Sequence, residues 1–161
     1  PRFTGWVADT HPFDFNIDEH PLRRDGLGMM NGTPAIPAYH AALPGLEIVA
    51  EVGVDRIRRA SVAMTRRLLD LVDHWGFRTV ASRDPERLAG TVAVDVPEAR
   101  HVSRALKARD IVVDYRPPVG IRLSPHFYNT LDEIDAVMSE LARISRERDY
   151  ETADPGSSLV T

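Results

Sequence analysis

The stretch DYRPPVGIRLSPHFYNTLDEID, residues 114–135, decides the fold. It combines a rigid Pro-Pro turn, a short apolar strand interrupted by one arginine, a polar-aromatic loop and the start of a helix. In the strand, side chains alternate between two faces, so Ile121 and Leu123 share the apolar face. Arg122 therefore projects from the opposite face, together with Ser124.

The segments on either side predict helices and strands that cover this strand. The motif TLDE at 130–133 is a capping box that opens a final helix. A long helix is expected from Asp55 to Trp75, because its apolar residues recur at helical spacing and Gly76 supplies a stop. Its apolar face comprises Ile57, Ser61, Met64, Leu68, Leu71, Val72 and Trp75. Period-two patterns predict strands at 77–80, 90–96, 111–114 and 120–124, with a helix at 97–109.

An earlier helix is predicted over residues 35–51. Thr33 is expected as its N-cap and Pro34 as its first residue. Pro44 removes a hydrogen bond and clashes with the preceding turn, so Pro44-Gly45 is expected to kink or split this helix. Residues 1–32 read as an irregular surface segment held by buried aromatic anchors.

These elements indicate an α/β fold with a small sheet covered by helices on one side. Three parts are expected along the chain: residues 1–54, a small α/β domain at 55–150, and a disordered tail at 151–161. No glycine-rich dinucleotide loop or P-loop is present.

The composition and charge of the chain argue against several classes of function. The chain has 161 residues, a net charge of −4 and no cysteine. These values argue against a nucleic-acid surface, a disulfide framework, a thiolate metal site and a cysteine nucleophile. No apolar run approaches a membrane span and no signal peptide is visible, so a cytoplasmic protein without membrane contact is expected. The histidines lack metal-ligand spacing, and no metal is expected.

Lysine chemistry is restricted to one residue. Lys107 is the single lysine among 20 basic residues. It shares a helical stripe with Arg100 and Arg104, opposite the apolar residues Val102 and Leu106, so it is expected at the surface.

Arg122 is the first candidate for binding. A guanidinium fixed on a strand presents a planar fork that suits a carboxylate. The alternative is an exposed strand arginine or a structural ion pair. His126 follows in the loop and is a candidate for the same site, although a local hydrogen bond explains a loop histidine equally simply.

Thr33 and Trp6 are weaker candidates. A helix N-terminus attracts anions, so Asn31, Gly32 and Thr33 are candidates for phosphate binding. The N-cap role alone also explains Thr33. The indole N–H of Trp6 is a possible ligand donor, whereas a buried aromatic anchor is the common alternative.

The ordered motifs of the chain resemble the C-terminal part of class V aminotransferase-like enzymes, which use pyridoxal 5'-phosphate (PLP), and most closely kynureninases. RLSPHFYNTLDEID at 122–135 carries the superfamily resemblance. The features similar to kynureninase are Gly5-Trp6, Pro12 to Phe15, Gly32-Thr33-Pro34, RIRRASVAMTRRLLDLV at 56–72 and DYRPPVGIRLSP at 114–125.

This resemblance implies an aspartate-aminotransferase-like (fold type I) enzyme that is homodimeric and hydrolyses kynurenine or 3-hydroxykynurenine to an anthranilate and alanine. Arg122 corresponds to the arginine that binds the substrate α-carboxylate. Trp6 and Thr33 correspond to residues that contact the PLP phosphate. Residues 1–54 then belong to the end of the large PLP-binding domain and a connecting helix.

The resemblance also implies that no catalytic residue lies in this chain. The family's Schiff-base lysine lies upstream of the Gly-Trp motif, so the chain is expected to be a C-terminal piece that is inactive alone. Ala8-Asp9 stands where kynureninases usually have Gly-His, which leaves room for another amino-acid substrate. Two alternatives stay open: another class V enzyme, such as an aminotransferase or epimerase, and a non-catalytic module that binds a small acid. A cysteine desulfurase is disfavoured because the chain lacks cysteine.

Overall fold

The computed structural model describes residues 3–150. The chain forms two compact units, one ending at Glu51 and the other beginning at Val52. The tail expected at 151–161 lies outside the described residues.

The first unit begins with an irregular segment. Two short 3-10 turns, Trp6–Ala8 and Gly26–Met29, are joined through an isolated antiparallel bridge between Asp9 and Leu22. The expectation of buried aromatic anchors is wrong. Phe13 and Phe15 are 72% and 82% exposed and Trp6 is 48% exposed. Ala8 and Gly28 are the buried residues of the two turns.

Helix α1 spans Ile36–Val52 and corrects two predictions. It starts after Thr33, so this threonine is not its N-cap. It also continues through Pro44, so the helix is not split there, the second of the two outcomes expected at Pro44-Gly45. No residue of α1 is buried, so water can solvate the carbonyl that the proline leaves without a partner. The break comes instead at Gly53, whose φ of 85° ends the helical path.

Helix α2 spans Val54–Trp75 and confirms the predicted helix. Gly76 adopts the left-handed conformation at φ 72° and closes the helix. The predicted apolar face supplies the buried side chains Met64, Leu68, Leu71 and Val72, to which Thr65 and Leu69 are added.

Three short antiparallel strands form the sheet: β1 is Val92–Val94, β2 is Asp114–Arg116 and β3 is Gly120–Leu123. Their order is β1-β3-β2, so β3 is central. Two strand predictions are corrected. Residues 77–80 form no strand, and only Arg78 makes an isolated bridge, to Asp95. The strand predicted at 111–114 begins at Asp114 instead, because Val113 is buried without joining the sheet.

The register of β3 separates an apolar face from a polar face. Val92 pairs with Leu123 and Val94 pairs with Ile121, and all four side chains are buried. Between them, Ala93 pairs with Arg122 on the other face. The alternation predicted for GIRLS is thereby confirmed.

Two further helices complete the layer that covers the apolar face. Helix α3 spans Ala99–Lys107, and α4 spans Leu131–Glu147. The predicted capping box is present, since the Thr130 hydroxyl accepts from the Glu133 N–H and the Glu133 carboxylate accepts from the Thr130 N–H. One core unites α2, α3, α4 and the apolar face of the sheet. The predicted α/β class, with helices on one side of a small sheet, is confirmed.

Gly120 allows the strands to approach at the start of β3. Its φ is 100°, and a Cβ built there would lie 2.2 Å from the backbone oxygen of Val94. No side chain fits this position without moving β1 away from β3. Gly76 also has a positive φ, yet nothing lies within 4 Å of a Cβ built on it.

We expect Gly120→Ala to lower the free energy of unfolding by about 3 kcal/mol, because backbone strain and a backbone clash combine. Gly76→Ala is the matched control, with strain alone and a loss of about 1 kcal/mol. Urea unfolding followed by circular dichroism measures both. Equal losses in the two variants would contradict the close approach as the cause.

Candidate functional site

Arg122 lies at the centre of the sheet's polar face. Its strand neighbours Ile121 and Leu123 point into the core, whereas its own side chain is 42% exposed. The residue opposite it on β1 is Ala93, and the residue opposite it on β2 is Asp114. The Asp114 carboxylate flanks the guanidinium on the β2 side.

Asp114 and Arg122 form an ion pair across β2 and β3. The Nε of Arg122 donates to Oδ2 of Asp114 at 2.8 Å, and Nη2 donates to the same oxygen. Arg116, two residues along β2, donates from Nε to that oxygen at 2.9 Å. The structural ion pair that was the alternative reading of Arg122 therefore exists, and the guanidinium still reaches solvent.

The two arginines change the acid strength of the carboxylate between them. Hydrogen bonds from Arg122 chiefly, and from Arg116, hold the pKa of Asp114 below its ordinary value, although partial desolvation opposes them. Asp114 is therefore charged throughout the neutral range. The sequence analysis did not include Asp114 and Arg116 among the residues of this site. Their spacing of two just before a Pro-Pro turn indicates that both side chains share one face of a strand. Because the predicted strand ends at Asp114, the pairing of Asp114 with Arg122 did not follow from the sequence.

The loop after β3 organises itself locally. The backbone N–H of His126 donates to Oδ1 of Asn129 at 2.8 Å, and the imidazole lies against the rings of Phe127 and Tyr128. The local hydrogen bond expected for this loop involves the histidine backbone. Ser124 exchanges a hydrogen bond of 2.9 Å with the hydroxyl of Thr91. None of these described interactions joins His126 to Arg122.

In the first unit, Trp6 and Thr33 are in contact although they lie 27 positions apart in the sequence. The indole N–H of Trp6 donates to the Thr33 hydroxyl at 3.2 Å. Gly5 makes this contact possible, because a Cβ on it would lie 2.0 Å from the carbonyl carbon of Asn31. The Thr33 hydroxyl oxygen thus accepts a hydrogen bond from the indole, and the hydroxyl proton remains available to donate to another acceptor. The pairing of the two candidates was not foreseen.

Lys107 is exposed at the C-terminal end of α3, as predicted. Within residues 3–150, no group of three histidine or acidic side chains is arranged to hold a metal ion. Among the helices of that same range, none has the length and apolar character to cross a membrane.

The architecture recurs in solved structures. A cysteine desulfurase from Thermococcus onnurineus NA1 superposes with a TM-score of 0.73 at 22% identity, over 91% of this chain and 40% of that one. The cystine C-S lyase C-DES superposes with a TM-score of 0.70 at 23% identity, over 88% of this chain and 38% of the other. These likenesses concern the fold. The fold is that of the C-terminal part of class V aminotransferase-like, fold type I PLP enzymes.

Sequence comparison defines the family. The family model "Kynureninase C-terminal domain" matches residues 57–141, and the chain belongs to this family. A kynureninase of Bacillus thuringiensis subsp. konkukian is 30% identical over 99% of the chain. One from Shouchella clausii is 30% identical over 93%. The chain spans 39% and 36% of the length of these relatives.

The Asp114 carboxylate is expected to titrate below about 3.9, the ordinary aspartate pKa. Its pairing contributes stability that is present above that ordinary value and is lost as the pH falls through the lower folded pKa. Carbon-detected NMR of the Asp114 carboxyl measures the midpoint. Arg122→Gln should raise the midpoint more than Arg116→Gln, because Arg122 supplies the larger share of the shift. A midpoint unchanged in Arg122→Gln would contradict the pairing.

Proposed function

We propose that this chain is the C-terminal region of a PLP-dependent, kynureninase-like hydrolase. The reaction converts kynurenine or 3-hydroxykynurenine to an anthranilate and alanine, a step of tryptophan catabolism. Arg122 is the residue that binds the α-carboxylate of the amino-acid substrate. The observation that carries this proposal is an open guanidinium on the central strand of a chain that belongs to the kynureninase C-terminal domain family.

Arg122 binds and orients the substrate and takes no part in proton transfer. A guanidinium remains protonated at all physiological pH values and matches a carboxylate with two parallel N–H donors. Such a contact is made equally in the ground state and the transition state, so its loss is expected to raise KM more than it lowers kcat. The strand holds the guanidinium in place, because Ile121 and Leu123 on either side are fixed in the core.

Thr33 suits the phosphate end of PLP directly, and Trp6 supports it by orienting Thr33, because the indole donates its single N–H to the Thr33 hydroxyl. Gly5 lets the backbone of Asn31 and Gly32 lie close to the residue before Trp6, and the Thr33 hydroxyl retains a proton to donate to a phosphate oxygen. When bound, PLP supplies the electron sink that stabilises a carbanion at the substrate α-carbon. The residues of this chain would hold the phosphate and would not perform that chemistry.

This chain contributes no catalytic residue to the proposed reaction. Lys107 is an exposed residue at the end of α3, on the far side of its helix from Val102 and Leu106, both fully buried. A lysine that anchors PLP must therefore come from elsewhere in the enzyme, and the chain alone is expected to be inactive. The cytoplasmic location and the homodimer are parts of the same proposal. The apolar side chains of Ile36 and Tyr39 on α1 are 53% and 55% exposed, which suits further protein packing against this helix.

Product analysis of the intact enzyme tests the reaction class. With kynurenine as substrate, a hydrolase releases anthranilate and alanine in equal amounts without a second substrate. An aminotransferase would need a 2-oxo acid as acceptor, and an epimerase would return the opposite enantiomer. Anthranilate formation in chromatographic assays supports the proposal. Amino transfer or racemisation without anthranilate would overturn it.

In the intact enzyme, Arg122→Lys is expected to raise KM roughly tenfold or more, because a lysine lacks the planar fork, a loss of about 1.4 kcal/mol. Steady-state kinetics with kynurenine measures the change. Arg83→Lys is the matched control, since Arg83 also makes a two-oxygen pair on the surface, with Asp73. An unchanged KM in Arg122→Lys would remove Arg122 from the substrate site.

Thr33→Val is expected to weaken retention of PLP by roughly ten- to hundredfold, since one hydrogen bond to a charged group contributes roughly 1.5–3 kcal/mol. Equilibrium dialysis against PLP, followed by cofactor absorbance, measures the dissociation constant. Thr10→Val serves as the control, because the Thr10 hydroxyl bonds to the neighbouring His11. Equal PLP affinity in Thr33→Val and the parent protein would refute the phosphate contact.

A further inference from the structure

The hydrogen bonds to Asp114 leave one edge of the Arg122 guanidinium open. A guanidinium carries five N–H donors, one on Nε and two on each Nη. Asp114 accepts one from Nε and one from Nη2, both at Oδ2. Three donors remain, two on Nη1 and one on Nη2. Two of these point along the end of the guanidinium as a parallel pair, the arrangement that a carboxylate accepts.

The charges of the cluster leave a single positive charge. Arg116 and Arg122 contribute two positive charges, and Asp114, held ionised between them, contributes one negative charge. Without Asp114 the two guanidiniums would repel each other across the hairpin. With it, the polar face of β2 and β3 presents one net positive charge, which matches a single carboxylate.

The backbone holds this arrangement in register. Asp114 and Arg122 are direct partners in the antiparallel ladder, where side chains of one pair lie close together on one face. Arg116 lies on the same face two residues further along β2. The side edge of the Arg122 guanidinium is thus fixed by an adjacent strand and not by a mobile loop.

We propose that Asp114 is a positioning residue for substrate recognition, which holds the Nε and Nη2 side of Arg122 so that its outer edge receives the substrate carboxylate. Arg116 supports Asp114 from the other side. This inference rests on the proposed role of Arg122. It adds a residue that does not touch the substrate and that acts on KM through the orientation of its neighbour.

The test compares Asp114→Ala with Asp114→Asn in the intact enzyme. Alanine removes the acceptor, and KM for kynurenine should rise about tenfold while kcat changes less than threefold. Asparagine keeps an acceptor oxygen for Nε and Nη2 and should recover most of the lost affinity. Asp73→Asn, which breaks the Arg83 pair elsewhere, is the control with unchanged KM. An unchanged or lowered KM in Asp114→Ala would show that Asp114 competes with substrate or does nothing, and would overturn the proposal.

A second readout separates orientation from general damage. The decarboxylated analogue kynuramine, measured as a competitive inhibitor, should bind equally to the parent enzyme and to Asp114→Ala, because it lacks the group that Arg122 contacts. In the Arg122→Lys background, adding Asp114→Ala should cause little further rise in KM. Equal losses for kynurenine and kynuramine, or additive losses in the double variant, would make the role merely structural.

A third readout is independent of catalysis and of the proposed function. In the intact enzyme, the Nε–H signal of Arg122 in nitrogen-15 NMR should exchange slowly with water and should become fast in Asp114→Ala, which removes its acceptor. If Arg122→Lys leaves KM unchanged while this signal responds, the proposed function fails and the pairing stands. If the signal does not respond, the positioning role itself is wrong.

Discussion

Everything that distinguishes this small domain depends on the pairing of β3 with strands on both sides. A strand in this position must bury one face and expose the other, and the register with β1 decides which residues do so. Pairing of Val92 with Leu123 and of Val94 with Ile121 places two apolar rows against the helices. Because side chains alternate, the same pairing places Arg122 on the opposite face. Gly120 permits it, since any larger residue would push against the backbone of Val94.

The structural and functional readings of Arg122 are compatible in this arrangement. An arginine that is tied to a carboxylate is usually regarded as satisfied, and surface pairs of this kind contribute little to stability. Here the partner accepts from one side of a group with two usable edges. The pair holds the Nε and Nη2 side of the guanidinium against β2 and leaves the other edge without a protein acceptor among the described hydrogen bonds. A bare arginine on the same strand would sample many rotamers and would lose side-chain entropy on binding.

The sequence predicted those features that depend on local patterns. The long helix, its glycine stop, the capping box at Thr130 and the alternation around Arg122 all follow from spacing or from cap chemistry, and all are present. The predicted element boundaries were wrong where tertiary contacts or solvent exposure determine the local structure. Val113 is buried without pairing, which displaced the predicted strand, and α1 tolerates Pro44 because it is exposed along its length.

The candidate sites show the same division. Arg122, Trp6 and Thr33 were found as single residues, whereas the contact between Trp6 and Thr33 and the pairing of Asp114 with Arg122 needed the fold. Hydrogen bonds between residues far apart in sequence leave no periodic pattern to read. The residue roles in binding PLP and substrate came from resemblance to a family, and the geometry supplies physical reasons why these residues suit them.

The hairpin turn between β2 and β3 also has a consequence for sequence variation. Three residues, Pro117 to Val119, connect the strands, and the Val119 N–H closes the turn on the Arg116 carbonyl at 2.9 Å. A change of one residue in the length of this turn that shifts the strand pairing by one position would turn the Arg122 guanidinium toward the apolar core. Ile121 and Leu123 would then face solvent. Turn length therefore determines which face of β3 carries the Arg122 guanidinium. Homologues should tolerate substitution in this connection far more readily than a change in its length.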